Sequence, residues 1–207
     1  MAVCEIGGGA NPLLPRAERD DLRLDYTLVD IDAGELAKAP EDVRKMELDI
    51  TAAPLPRRFD LIISNQLAEH VRDPEPMHRN VRAMLRPGGL AIHFFPTLYS
   101  APFVLNRLIP ERLAERTLLR LQPYRATAKH GKFPAYYRWC RGPTRRQLQR
   151  LVSTGFEIDE YIAGFGHAYY LRVPILQRFE EAKTRLLLRH PVALLTSYAI
   201  VVLRRPL

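Results

Sequence analysis

The chain has 207 residues, 47% apolar and 26% charged, which suffices for one domain with a core that needs no covalent staples. Two cysteines, Cys4 and Cys140, show neither a disulfide framework nor a metal-type spacing, and they fit a reducing, cytoplasmic setting. The net charge of +8 is uneven: residues 1–100 carry 12 Lys/Arg against 16 Asp/Glu, and residues 101–207 carry 19 against 7, which suggests two tasks for two halves.

Strand and helix alternate through the first half. Ala2–Ile6 is a short apolar strand that runs into Gly7, Gly8 and Gly9. Tyr26–Asp30, Arg44–Ile50, Phe59–Asn65 and Leu90–Phe95 follow as strands two to five. Between the last two, Met77, Val81, Met84 and Leu85 mark one face of a helix over Pro74–Leu85. Near-continuous apolar strands alternating with helices imply a parallel sheet covered on both faces.

The second half is less regular. Ala101–Leu121 has an amphipathic helical pattern broken at Pro110, and 128–140, "AKHGKFPAYYRWC", is dense in aromatics, bases and turn residues. Thr144–Val152 is expected as a helix capped by Thr144 and closed by Gly155. Phe156–Ile162 is expected as a strand, Pro174–Arg189 as an amphipathic helix and Ser197–Leu203 as the last strand. The most apolar run, Val192–Leu203, is twelve residues interrupted by Thr196 and Ser197, too short to span a bilayer as a helix. It is expected to be a buried terminal strand.

Glycines as dense as Gly7–Gly9 mark a backbone that turns sharply or approaches a ligand closely. A strand leading through them into a helix builds a cofactor crevice at the carboxyl end of a sheet. The dinucleotide pattern G-x-G-x-x-G is incomplete here, because Pro12 stands in the third place. Glu5, two residues before the first glycine, would repel a pyrophosphate and suits a cofactor with a cationic tail, such as S-adenosylmethionine. Glu5-x-Gly7-x-Gly9 resembles motif I of the class I S-adenosylmethionine-dependent methyltransferases.

Further landmarks follow in order. Asp30 ends the second strand, where a carboxylate can accept both ribose hydroxyls; Asp32, in the next turn, is the second choice. The segments Phe59–Pro74 and Met84–Pro96 resemble the methyltransferase 11 type, so the resemblance covers about residues 2–96. It implies that Asp49 receives the adenine amino group and that Ile50 lies against the ring, with Gly8, Ile31 and Asn65 completing the cofactor set. Glu5 as an edge carboxylate, and Asp30 or Asp49 as helix caps, are the blander readings. Three acids ending three successive strands at one sheet edge fit those poorly. Relatives of this type carry chain before the first strand; here the strand begins at residue 2, so either the start is late or the second half supplies the cover.

The implied fold is α/β: a doubly wound, mostly parallel, seven-stranded Rossmann-like sheet with a final antiparallel strand. Residues 1–97 would form the cofactor half of a single domain, 98–140 a lid inserted after strand five, and 141–207 the completion of the sheet. No metal is expected. His70, in "AEH" after strand four, is the first candidate general base, and packing against a helix is its bland alternative. His130, Tyr136 and Tyr137 are candidate acceptor-binding residues in the lid; His167 is weaker, and His93 falls mid-strand as a core residue.

"SNQLAEH" stands where nucleobase amino-methyltransferases carry Asn/Asp-Pro-Pro-aromatic, which favours an oxygen or carbon acceptor. The expected acceptor is a glycan, a glycolipid or another small hydroxylated molecule, including lipid-linked glycans met at the inner face of a membrane. RNA and small-molecule C- or N-methylation stay open. The rivals are a nicotinamide-dependent reductase and a non-catalytic basic module on nucleic acid or membrane. Against the short-chain reductase, no tyrosine has a lysine four residues on.

Overall fold

The structure, a computed structural model, describes residues 1–98, 134–167 and 173–207. Its strands are β1 (Ala2–Ile6), β2 (Asp25–Asp30), β3 (Arg44–Glu47), β4 (Phe59–Asn65), β5 (Leu85–Pro96), β6 (Glu157–Gly164) and β7 (Tyr198–Arg204). The helices are α1 (Arg16–Asp21), α2 (Ala33–Lys38), α3 (Pro74–Met84), α4 (Arg145–Val152) and α5 (Pro174–Arg189). The strands form one sheet in the order β3-β2-β1-β4-β5-β7-β6. β1 to β5 are mutually parallel, and β7 runs antiparallel to both its neighbours. This is the expected doubly wound architecture.

Every residue of β1 is buried, and successive side chains reach opposite faces. Cys4 and Ile6 join the layer that holds Met77, Val81 and Met84 of α3. Val3 joins the other layer, with Leu36 and Ala39 at α2. Cover on both faces explains why these strands are apolar without a polar side.

The chain lays down β1, β2 and β3 outward in one direction, then returns to place β4 on the far side of β1. That reversal leaves a crevice between β1 and β4 at the strands' carboxyl ends. Because the strands are parallel, Gly7, Asp30 and Gln66 come to one edge.

Four departures from the expected elements have local causes. β3 stops at Glu47 because Asp49 bends the chain: its Oδ1 accepts from Thr51 N at 2.8 Å and Thr51 Oγ1 at 2.7 Å. β5 begins at Leu85, which pairs with Phe59 before an irregularity in β4. The run Val192–Leu203 divides into a 3-10 turn at Ala193–Leu195 and β7, with Thr196 and Ser197 buried between them. α1 and α2, six residues each, are too short to show a helical period. The helical pattern at 101–121 and His130 lie outside the described residues, as does most of the expected lid. No described helix is long and apolar enough to cross a membrane.

Candidate functional site

At the crevice edge lies a cavity of about 1090 Å³. Its first wall is the glycine loop. Gly7 has φ +75° and donates its N–H to Val29 O at 2.7 Å. A Cβ there would stand 2.8 Å from Leu67 Cδ1, so the loop passes the β4 turn at a distance only glycine allows.

Asp30 closes the next corner. Its Oδ2 accepts from Gly9 N at 2.9 Å and its Oδ1 from Asp32 N at 3.0 Å. A carboxylate has about four acceptor positions, so two remain after the loop is anchored. Leu48, Asp49, Ile50 and Ile31 continue this wall. The carbonyl of Ile50 accepts from Asn80 Nδ2 at 2.8 Å, which ties the wall to α3.

Across the cavity stands His70, in the 3-10 turn Ala68–His70 that follows β4. Its Nδ1 lies 3.1 Å from Pro134 O. A carbonyl only accepts, so Nδ1 carries a hydrogen. Nε2 is 3.8 Å from Glu69 Oε1. Glu69 is buried and its Oε2 has no hydrogen-bond partner; burial pushes its carboxyl up to about 7. The Glu69 carbonyl also accepts from Tyr136 N at 2.7 Å and Tyr137 N at 3.1 Å. These contacts clamp the β4 turn to the segment before α4.

Gly7, Asp30, Ile31, Asp49, Ile50, His70 and Tyr136 therefore share one cavity. Other candidates go elsewhere. Glu5 is buried beneath the loop, where its carboxylate accepts from Leu13 N at 2.9 Å and from the Tyr26 hydroxyl, and it does not line the cavity. Burial raises its pKa, against the pull of those hydrogen bonds. It fixes the loop from below. Gly8 rests on it: a Cβ would come 2.6 Å from Glu5 Oε1 and 2.4 Å from Leu28 Cδ1. Gly9 and Asn65 stand outside the lining, and Tyr137 packs against the core. Asp32 caps α2, accepting from Gly34 N at 2.8 Å and Glu35 N at 3.1 Å. His167 is buried against Glu180, 3.3 Å away, and His93 is a core residue bonded to Ser64 Oγ at 2.7 Å.

The cavity also holds residues that sequence reasoning passed over. Gln66 adopts φ +53°, a conformation that costs a non-glycine residue about 1–2 kcal/mol; no local pattern announces it. Trp139 and Arg141 stand near Tyr136 in the run "YYRWCR". No strand-like alternation sorts that run: Tyr136, Arg138, Trp139 and Arg141 line the cavity, while Tyr137 and Cys140 join the core.

A family model described as a methyltransferase domain matches residues 1–161. The ubiquinone biosynthesis O-methyltransferase of Azotobacter vinelandii is 30% identical over 131 residues, 57% of this chain and 54% of that protein. An uncharacterized methyltransferase of Mycobacterium tuberculosis is 33% identical over 105 residues, 47% of this chain and 52% of that protein. The chain thus spans about half the length of these curated relatives.

Among solved structures, an S-adenosylmethionine-dependent methyltransferase from Mesorhizobium loti superposes with a TM-score of 0.57 at 17% identity, covering 99% of this chain and 90% of that one. The N-methyltransferase NodS from Bradyrhizobium japonicum, in complex with S-adenosylhomocysteine, gives 0.54 at 13% identity, covering 100% and 78%. With the glycine loop, the strand-end carboxylates and the sheet order already in place, these matches show that the chain belongs to the methyltransferase-domain family and has the fold of S-adenosylmethionine-dependent methyltransferases.

Proposed function

We propose that this chain methylates a hydroxyl oxygen on a glycan, a glycolipid or another small hydroxylated acceptor, using S-adenosylmethionine. The observation that carries the reading is the cavity itself: Asp30, Asp49 and the glycine loop form one wall and His70 stands on another. The residues fit the cofactor. Asp30 keeps acceptor positions for ribose hydroxyls, Asp49 lies at the cavity rim for an amino donor, and Ile31 and Ile50 offer apolar surface to a ring.

When bound, S-adenosylmethionine supplies an electrophilic methyl group on a sulfonium. The protein's part is to align the acceptor and exclude water. His70 is oriented by its Nδ1–H bond to Pro134 O, and its Nε2, in the neutral ring, is the atom that serves as general base. It takes the hydroxyl proton at Nε2 as the oxygen gains the methyl, and the Glu69 carboxylate 3.8 Å away favours the resulting imidazolium. O-methyl transfer is what the name of the Azotobacter relative states, which supports an oxygen acceptor. Contact with a membrane surface belongs to the same proposal: α5 exposes Ile175 and Phe179, at 70% and 71%, beside exposed Arg178 and Arg185.

The test is incubation of the purified chain with methyl-labelled S-adenosylmethionine and fractionated cell extract. Alkali-stable label in glycan, lipid or hydroxylated small-molecule fractions is expected. Label confined to RNA or to amines would overturn the oxygen assignment.

A further inference from the structure

One side of the cavity is strongly basic. Arg72 follows the His70 turn, Arg138 and Arg141 lie in the segment before α4, and Arg150 projects from α4; all four line the cavity. Arg150 Nη1 donates to the backbone carbonyl of Arg138 at 3.3 Å, which ties α4 to the segment before it. The buried Nε of Arg141 has no hydrogen-bond partner. No carboxylate among the described residues forms an ion pair with any of the four. The pKa of Arg150 is depressed, first by burial and then by the charges of Arg146 and Arg141. Among the described residues, four like charges therefore meet on one side of the cavity without a carboxylate partner, an arrangement that an entering anion would stabilise.

The cofactor brings a single carboxylate to a site lined by four arginines. With its ammonium and sulfonium against one carboxylate, S-adenosylmethionine is a net cation. Of the lining acids, Asp30 and Asp49 sit on the cofactor wall and Asp73 is exposed beside Arg72. Several guanidiniums converging on one hollow suit a multiply charged, oxygen-rich anion, which they grip through paired N–H donors.

We infer that the acceptor bears a phosphate or pyrophosphate group, held by Arg138, Arg141 and Arg150 with Arg72 at the mouth, so that its hydroxyl is presented to His70. This rests on the methyltransferase reading above. The group can belong to a soluble phosphorylated molecule or to a lipid headgroup; the chemistry that recognises it is the same. Tyr136 and Trp139 line the same cavity and offer aromatic faces to the part of the acceptor between phosphate and hydroxyl.

The test is calorimetric titration of pyrophosphate into the full chain saturated with S-adenosylhomocysteine. Saturable binding is expected, weakened at least tenfold in the double variant Arg141→Gln/Arg150→Gln and largely retained in Arg150→Lys. Absence of saturable binding, or an affinity indifferent to the double variant, would overturn the inference. S-adenosylhomocysteine is titrated separately into the same proteins. An affinity within about threefold of wild type supports the inference; a tenfold loss would mean that the arginines hold the cofactor's own carboxylate, and would overturn it while leaving the methyltransferase reading intact. Failure of the wild-type chain to bind S-adenosylhomocysteine would instead sink that reading. Sedimentation with phosphatidylglycerol and phosphatidylcholine vesicles distinguishes the sources. Binding to the first that pyrophosphate displaces and the double variant lacks indicates a lipid headgroup, and pyrophosphate binding alone indicates a soluble acceptor.

Discussion

Asp30 carries two loads at once. It fastens Gly9 and Asp32 by their N–H groups and keeps acceptor positions facing the cavity. Hydrogen bonds to a charged group contribute about 1.5–3 kcal/mol each, so Asp30→Ala should weaken S-adenosylhomocysteine binding roughly ten- to a hundredfold by calorimetry. His70 and Glu69 give a second residue-scale expectation. His70→Ala should lower kcat by about 10²–10⁴ with cofactor affinity little changed. The Glu69 carboxylate beside Nε2 favours the protonated imidazole, so Glu69→Gln should move the acidic limb of the pH–rate profile to lower pH; a limb that stays in place would separate Glu69 from the proton transfer. Glu5 shows how far a residue-level reading reaches. Its acidity two residues before Gly7 was legible, but its direction was not. Whether a strand-end carboxylate faces a ligand or the underside of a loop depends on Tyr26 and Leu13, partners that the local spacing does not reveal.

At the scale of elements, the glycine loop and the parallel strands act as one unit. Gly8→Ala would drive a methyl group into Glu5 and Leu28, and so should lower the thermal midpoint and the cofactor affinity together. Phe59, fully buried where β4 starts, should cost about 3–5 kcal/mol on truncation to alanine, read from denaturant unfolding. Long or strongly patterned elements were plain in the sequence: β1, β4, α3 and α5 follow from apolar runs, from a helical period, or from a proline at the first turn. Thr144 was readable as a cap and accepts from Gln147 N at 3.3 Å. What escaped were features decided by a single side chain or by very short length. Asp49 ends β3 with a turn of its own making, and α1 and α2 each span barely more than a turn. Tyr136 and Tyr137 were equivalent in the sequence; the backbone at Tyr137, with φ +48°, sends the second ring to the core.

Over the whole molecule, the acidic first half supplies the cavity wall that holds Asp30 and Asp49, while the second half brings Arg138, Arg141 and Arg150 to the same cavity. The charge asymmetry was legible in the sequence, but the cavity positions of those arginines depend on how the segment before α4 packs against the β4 turn. The join is also where acid should act. His78 and His93 lie against each other behind Trp139, and burial lowers them from 6.5 to about 4 and about 3. Both are neutral in the fold, whereas the unfolded chain takes up protons below about 6.5. Their contribution is complete above that pH and is lost as pH falls toward 3–4. Glu69, raised to about 7, acts in the opposite sense, because protonation relieves its burial as pH falls from 7 toward 4.5. Glu5, also raised by burial, acts with Glu69, and His167, also lowered by burial, acts with His78 and His93. Removing one buried histidine therefore has a definite sign: between pH 7 and pH 5 the denaturant midpoint should change less unfavourably in His93→Gln than in the wild type. The central claim, that the crevice between β1 and β4 takes an adenosyl-sulfonium cofactor, is tested most directly by titrating S-adenosylhomocysteine and, separately, a nicotinamide dinucleotide into the wild-type chain. Saturable one-site binding of the first, lost in Asp30→Ala, with no heat from the second, is the expected result; binding of the nicotinamide compound with none of S-adenosylhomocysteine would contradict it.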